Sequence, residues 1–207
     1  MPEATAAYAE NSKSQRTLAR LVECTGQEIA ESGSFTAERV AARAGTSVAT
    51  FYSHLPTKDV ALTAAFNAAM DDLVEVVEAR LTGEALLEDG LEAFARDFVD
   101  ASLAFFADRS LIFRCALARM PECRPLREVY RAHQAQAFSR YARFVERGQA
   151  AGKVRPGDVE ALARAFLVLS QGLNNPLALG LGEGDPLRAE LAGLVQALLA
   201  PIPEAAD

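Results

Sequence analysis

The stretch from Thr36 to Lys58, T-A-E-R-V-A-A-R-A-G-T-S-V-A-T-F-Y-S-H-L-P-T-K, leaves the chain few choices. It reads as a short helix, a tight turn at Gly45 and a second short helix starting near Ser47. Thr36 suits an N-cap, where its hydroxyl accepts from the free N–H groups of the first turn. Val40, Ala41 and Ala44 form one small apolar face. Gly45 supplies the positive φ of a sharp helix stop. Ser47 can cap the next helix, with Phe51 and Leu55 inward and Val48, Thr50, Tyr52, Ser53 and His54 outward. Two helices joined by a short Gly-containing turn make the helix-turn-helix pattern, whose second helix enters the DNA major groove.

The rest of the chain reads as helix throughout. Leu18, Val22, Thr25 and Ile29 sit at helical spacing and predict a first helix over about 12–32, preceded by a polar arm at 1–11. Thr57 caps a long helix carrying Leu62, Phe66, Met70, Leu73, Val77 and Leu81, broken by Thr82-Gly83. Leu87, Leu91, Phe94, Phe98 and Phe105 mark a helix ending around Asp108, and a shorter one follows over 110–119. Pro125 opens a helix through Gln149, and Gly152-Lys153-Val154-Arg155-Pro156-Gly157 is a loop. A helix follows over 158–174, then a Gly-rich linker. Asp185 and Pro186 start the last helix, bearing Leu187, Leu191, Leu194, Val195 and Leu198; the tail from Pro201 is expected to be loose. No period-two alternation persists long enough for a strand. The expected fold is all-α with about nine helices.

Half of the 207 residues are hydrophobic, aromatics are 7% and Trp is absent, a composition rich in Ala and Leu that favours helices. No apolar run approaches the roughly 20 residues of a membrane span, and the N-terminus lacks a basic-then-apolar signal, so a cytoplasmic location and no membrane partner are expected. Cys24, Cys115 and Cys123 show no C-x-x-C spacing and read as reduced thiols. With His54 and His133 the only histidines, no metal site or cofactor is expected. Net charge is −7, yet residues 1–60 hold six basic against seven acidic side chains, so the acidity belongs mainly to the C-terminal part. A near-neutral head can still bind DNA, because phosphate neutralisation is local.

Enzymatic readings find little support. There is no G-x-S-x-G, H-E-x-x-H or P-loop, and Cys115 and His133 have no evident third partner. Gly180-Leu181-Gly182-Glu183-Gly184 follows no strand and reads as a linker. The Asp71, Asp72, Glu75, Glu78 cluster reads as a solvated helix face.

Ala44 to Asp59, A-G-T-S-V-A-T-F-Y-S-H-L-P-T-K-D, resembles the signature of the TetR family of bacterial transcriptional regulators. Ala44, Gly45, Ser47, Thr50, Phe51, Tyr52, Leu55, Thr57, Lys58 and Asp59 fill its spaced positions, and Glu31, Gly33, Thr36, Val40 and Ala41 match upstream. The loop at Gly33-Ser34-Phe35-Thr36 is about two residues shorter than the family's, Thr46 replaces a common aliphatic, and Thr25-Gly26 stands where two alanines are usual.

The resemblance implies a helix-turn-helix DNA-binding domain at 1–57 and an effector-binding and dimerisation domain at 58–207. It also implies a homodimer whose two recognition helices meet successive major grooves of a double-stranded operator. By carry-over, Thr36, Tyr52, His54 and Lys58 should contact phosphates, and Ser47, Val48 and Thr50 base edges. None of these is a bidentate base reader, which gives Arg43 and DNA shape a possible part in specificity. Leu162, Leu169, Leu187, Leu191, Leu194 and Leu198 on the last two helices are the expected dimer interface.

The resemblance further implies a pocket behind the head for a small, largely apolar effector. Phe98, Phe105, Phe113, Phe138, Tyr141 and Phe166 either line it or form ordinary core; His133 and Gln171 are candidate orienting groups. The expected function is a non-enzymatic repressor released from its operator by that effector. Two alternatives stand beside it: a regulator of the same fold that answers to a protein partner or activates, and a helical ligand-sequestering protein without DNA binding.

Overall fold

The computed structural model describes residues 2–201, so the expected loose tail falls, beyond Pro201, outside the described residues. Its helices are α1 (Pro2–Ser32), α2 (Ala37–Ala44), α3 (Val48–His54), α4 (Lys58–Glu78), α5 (Glu84–Glu88), α6 (Gly90–Arg119), α7 (Arg124–Ala150), α8 (Val159–Gly172) and α9 (Pro186–Leu199). Among the described residues there are nine helices and no strand. No helix is long and apolar enough to cross a membrane among these residues.

The helix boundaries differ from the sequence expectation in two places. The first helix starts at Pro2 rather than Ser12. Pro is suited to the first helical position, and the following E-A-T-A-A-Y-A-E run is rich in helix formers. The break expected near Asp108 is absent, and α6 runs unbroken for 30 residues. Nothing between Ala107 and Leu111 is Gly or Pro, and Phe105, Phe106, Ile112 and Phe113 are buried on both sides of the expected break. The ninth helix is instead the short α5.

The chain divides into two compact units, Met1–Asp71 with Leu111–Tyr130, and Asp72–Ser110 with Arg131–Asp207. The boundaries fall inside α4, α6 and α7.

In the first unit, Leu21, Cys24, Val40, Ala41, Ala44, Phe51, Leu55 and Ala61 form one buried cluster. The buried face of α1 is therefore Leu21, Cys24, Thr25, Glu28 and Ile29, while Leu18 is exposed and Val22 only half-buried. Of the expected stripe Leu18, Val22, Thr25 and Ile29, the last two are buried and Val22 packs against the cluster, while Leu18 gives way to Leu21 and Cys24. Both stripes have helical spacing, and the surfaces of α2 and α3 decide between them. Thr25 is satisfied within this core, its hydroxyl donating to the Leu21 carbonyl at 2.7 Å. Further along, Phe66 meets Phe113 edge-on at 5.5 Å between centroids. Cys24 and Cys123 are buried and free, and Cys115 is free and partly buried.

The second unit is centred on aromatic rings. Phe166 lies 5.0 Å from Phe98 and 4.8 Å from Tyr141, and Phe94 stacks on Phe144 at 4.6 Å between centroids. Tyr141 donates its hydroxyl to Ser170 Oγ at 2.9 Å, and Ser170 donates in turn to the Leu167 carbonyl. Burial pushes the Tyr141 phenol well above its ordinary pKa, with the Ser170 bond acting in the opposite direction. Asp158 and Asp185 cap α8 and α9 through 3.0 and 2.9 Å bonds from Ala161 and Leu187 N–H. Arg155 closes the end of α9, donating its backbone N–H to the Leu199 carbonyl and Nε to the Leu198 carbonyl. Gly148 permits the loop after α7 to fold back, because a Cβ there would stand 2.4 Å from Val154 Cγ2.

Candidate nucleic-acid interface

Three capped helix starts define this surface. Thr36 is extended (φ −126°, ψ 155°) and its hydroxyl accepts from Arg39 N–H at 3.3 Å. Gly45 is left-handed (φ 67°) and ends α2, donating its N–H to the Ala42 carbonyl while Thr46 N–H reaches Ala41. That geometry needs a residue without a Cβ penalty. Ser47 Oγ accepts from Thr50 N–H at 3.0 Å and lies 2.9 Å from the Thr50 hydroxyl. Thr57 Oγ1 accepts from Val60 N–H at 3.1 Å and starts α4, with Lys58 as its first residue.

Helix α3 is anchored on one side only. Phe51 and Leu55 are fully buried, and Val48 packs half-buried against the same cluster. Ser47, Tyr52 and Ser53 are exposed, and Thr50 and His54 are half-exposed. The Tyr52 ring is held edge-on by Phe51 at 5.2 Å, which leaves its hydroxyl end free to reach outward. Lys58 is exposed.

The two arginines of α2 are held by carboxylates of α1. Buried Glu28 takes Arg39 Nη2 at 2.5 Å and Arg43 Nε at 2.6 Å. Arg43 also binds Glu31 through both Nη atoms, at 2.8 and 2.5 Å. These bonds hold the Glu31 carboxyl below its ordinary pKa and raise that of Arg43. Sequence reasoning missed this clamp. Its signal was there: Arg39 and Arg43 are four apart on one helix, and Glu28 and Glu31 are three apart on its neighbour.

Asp59, beside Lys58, takes Arg119 in a two-pronged pair at 3.0 and 3.2 Å. That bond holds its carboxyl below the ordinary 3.8. A folded-state pKa below the unfolded one stabilises the native state at pH above the unfolded value, and this is lost as pH falls through the folded value. Asp59→Asn should therefore lower the urea midpoint slightly at neutral pH. The difference from wild type should shrink and then vanish as pH falls below the ordinary carboxylate range. An acid-independent difference would contradict the ion-pair account.

The other expected site residues lie elsewhere. Phe98, Tyr141 and Phe166 are packed on one another in the second unit, where Phe105 and His133 are also buried. Phe138 is half-buried beneath the Arg164 guanidinium, and exposed Gln171 donates to Gln134. Phe113 belongs to the first unit. Of the expected interface leucines, Leu162 is buried within its own unit, Leu169, Leu191 and Leu198 are half-buried, and Leu187 and Leu194 are exposed. The exposed face of α8 is instead Ala161, Ala165 and Val168, the last 68% exposed. Among the described residues, no group of three His, Cys, Asp or Glu side chains is arranged to hold a metal.

Neither a protein-family model nor a curated protein matches the chain by sequence. Solved structures do match its fold. A protein from Saccharomonospora viridis, solved in complex with choline, superposes with a TM-score of 0.74 at 20% identity, covering 91% of this chain and 100% of that one. A TetR transcription regulator from Haloarcula marismortui gives 0.71 at 19%, covering 89% and 99%. AibR, in complex with isovaleryl coenzyme A and operator DNA, gives 0.62 at 19%, covering 90% and 100%. The chain has the TetR-family fold.

Within this TetR fold the short loop at Gly33–Phe35 still delivers Thr36 to the start of α2, where it caps. Thr46, at the aliphatic position, contributes the backbone N–H that closes the turn. The substitutions at Thr25 and Gly26 are accommodated too, Thr25 by its bond to Leu21 and Gly26 by Ile112, whose Cδ1 lies 3.6 Å from where a Cβ would be.

Proposed function

We propose that the chain is a DNA-binding transcriptional regulator, a homodimeric repressor that leaves its operator when a small, largely apolar effector binds. Residues 1–57 are the DNA-reading head, and residues 58–207 bind effector and dimerise. The observation that carries this reading is α3: fixed from behind by Phe51 and Leu55, it turns Ser47, Thr50 and Tyr52 to solvent between the capped starts of α2 and α4. Helix N-termini carry partial positive charge and free N–H groups, so Thr36 and Lys58 mark two phosphate positions on either side of the reading helix. Tyr52 and His54 add further phosphate contacts. Ser47, Thr50 and the part of Val48 not packed on the head's core face the base edges, and Arg43 adds to readout on leaving its carboxylates. The effector is bound by the second unit, where it must part the Phe98, Tyr141 and Phe166 rings, with His133 as an orienting group. AibR and the Saccharomonospora viridis protein were each solved with a small molecule bound, which supports a small-molecule effector.

Binding of the duplex flanking the protein's own gene, followed by anisotropy over a range of salt, tests the proposal. The operator should be preferred over random DNA at moderate salt. Lys58→Ala should weaken all sequences alike and reduce the salt slope by about one. Failure to prefer any sequence would sink the regulator reading.

The engagement of Arg39 and Arg43 by Glu28 and Glu31 favours one other reading, a sequestering protein whose head no longer reads DNA. It predicts a ligand that binds tightly and never changes DNA affinity.

A further inference from the structure

The α2 arginines are neutralised, and α3 itself carries no Lys or Arg, so the charge that meets the DNA backbone has to come largely from elsewhere. Helix α1 carries it. Lys13, Arg16 and Arg20 share one face at i, i+3 and i+7, and all three are exposed. In contrast to Arg39, Arg43 and Arg119 of the same unit, Arg16 and Arg20 pair with no carboxylate among the described residues.

Arg16 and Arg20 line a groove of about 520 Å³ together with Glu23, Gln27 and Arg43. Glu23 is the one carboxylate lining it, and it accepts a 3.2 Å bond from Gln27. With Arg43 already held by Glu28 and Glu31, the groove keeps a surplus of one positive charge, Arg16 and Arg20 against Glu23. Its position relative to the reading helix is fixed by one distance: Arg20 Nη2 lies 3.9 Å from where a Cβ on Gly45 would be. Gly45 begins the turn that leads to Ser47, the N-cap of α3. In helix-turn-helix docking the N-terminal residues of the second helix meet the base edges. The turn before it therefore lies at the rim of the major groove, against a phosphate strand.

We infer that Arg16 and Arg20, on the α1 side of the turn, form a second DNA-backbone site that binds phosphodiesters outside the helix-turn-helix itself. The inference rests on the regulator reading above. One helical turn separates the two residues by about 6 Å along α1, so each guanidinium meets its own phosphate. Arginine matches phosphate oxygens with two parallel N–H donors, and an unpaired guanidinium needs no partner displaced first. Phosphate contacts position a protein on the duplex without reading sequence. This site accordingly adds affinity and leaves specificity to α3.

The double variant Arg16→Ala/Arg20→Ala tests it, with the full-length protein titrated against its operator and a random duplex over about 50 to 200 mM salt. The slope of log K against log salt should become shallower by about 1.8, for two phosphates at about 0.9 each. The wild-type advantage should then shrink about twelvefold between those salt limits, equally on both duplexes. Arg16→Lys/Arg20→Lys should keep the wild-type slope, and Glu23→Gln should tighten both duplexes at low salt. Alanine is the best helix former, so a circular dichroism spectrum and melting curve matching wild type are expected of the double variant. An unchanged slope, or a loss confined to the operator, overturns the second site. A shallower slope in a protein with no operator preference keeps the site and overturns the regulator reading; no DNA binding by wild type overturns both.

Discussion

Leu194→Glu should turn the protein into a monomer and cost about a hundredfold or more in operator affinity. Leu194 is 54% exposed on α9, Leu187 is exposed two turns earlier on the same helix, and Val168 is 68% exposed on α8. A single exposed leucine is ordinary, whereas apolar side chains repeated at helical spacing on two helices that touch call for a partner. In the proposed homodimer that partner is a second copy, and two-fold symmetry brings each α8–α9 face against its equivalent. A carboxylate placed there must lose water on dimerisation, an effective penalty of several kcal/mol per ion. The consequence for DNA follows from linkage of the two heads. Tethered binding modules see one another at an effective concentration on the order of millimolar, and avidity multiplies affinity by about 10²–10⁴. Light scattering would report the monomer, and operator titration the lost affinity. A monomeric Leu194→Glu protein that binds the operator as tightly as wild type would remove dimerisation from the mechanism.

The second large effect concerns stability. Phe166→Ala should cost about 3–5 kcal/mol, the usual result of removing a buried aromatic ring. Phe166 is fully buried and has four aromatic neighbours, Phe94, Phe98, Tyr141 and Phe144, on two other helices. Deleting its ring removes the ring contacts of α8 with all four and leaves the Tyr141–Ser170 bond, and close-packed rings refill such a gap only partly. Phe166→Leu keeps much of the volume and should cost clearly less. Urea unfolding followed by far-ultraviolet circular dichroism checks this: the transition of the variant should move to lower denaturant with its slope unchanged. Equal midpoints for the alanine variant and wild type would mean that the ring is not part of a packed core.

The same cluster shows where sequence reading stops. Phe98, Tyr141 and Phe166 were recognisable as an inward aromatic set, but their spacing was equally consistent with a cavity wall and with solid core. The structure packs them ring against ring, so an effector at this place must separate them, and binding is then coupled to rearrangement of α6, α7 and α8. His133 and Gln171 looked alike as polar residues within apolar stripes. The fold buries the first and leaves the second at the surface against Gln134. Periodicity marks which face of a helix turns inward; it does not fix the neighbour that face will meet.

What the sequence determined by itself is the head's local architecture. Thr36, Ser47 and Thr57 cap and Gly45 stops, because each of these depends on bonds reaching only three or four residues along the chain, and the i, i+4 spacing of Phe51 and Leu55 marks the inward face of α3. The tertiary structure alone decided the rest. It chose Leu21 and Cys24 over Leu18 as the seam of α1, buried Leu162 while exposing Val168, joined Arg39 and Arg43 to Glu28 and Glu31, and placed Arg16 and Arg20 beside the turn with no carboxylate partner among the described residues. A helical stripe is ambiguous by one residue, about 100° of rotation. Only the surface of a partner remote in sequence resolves that ambiguity, and with it which charges remain to meet DNA.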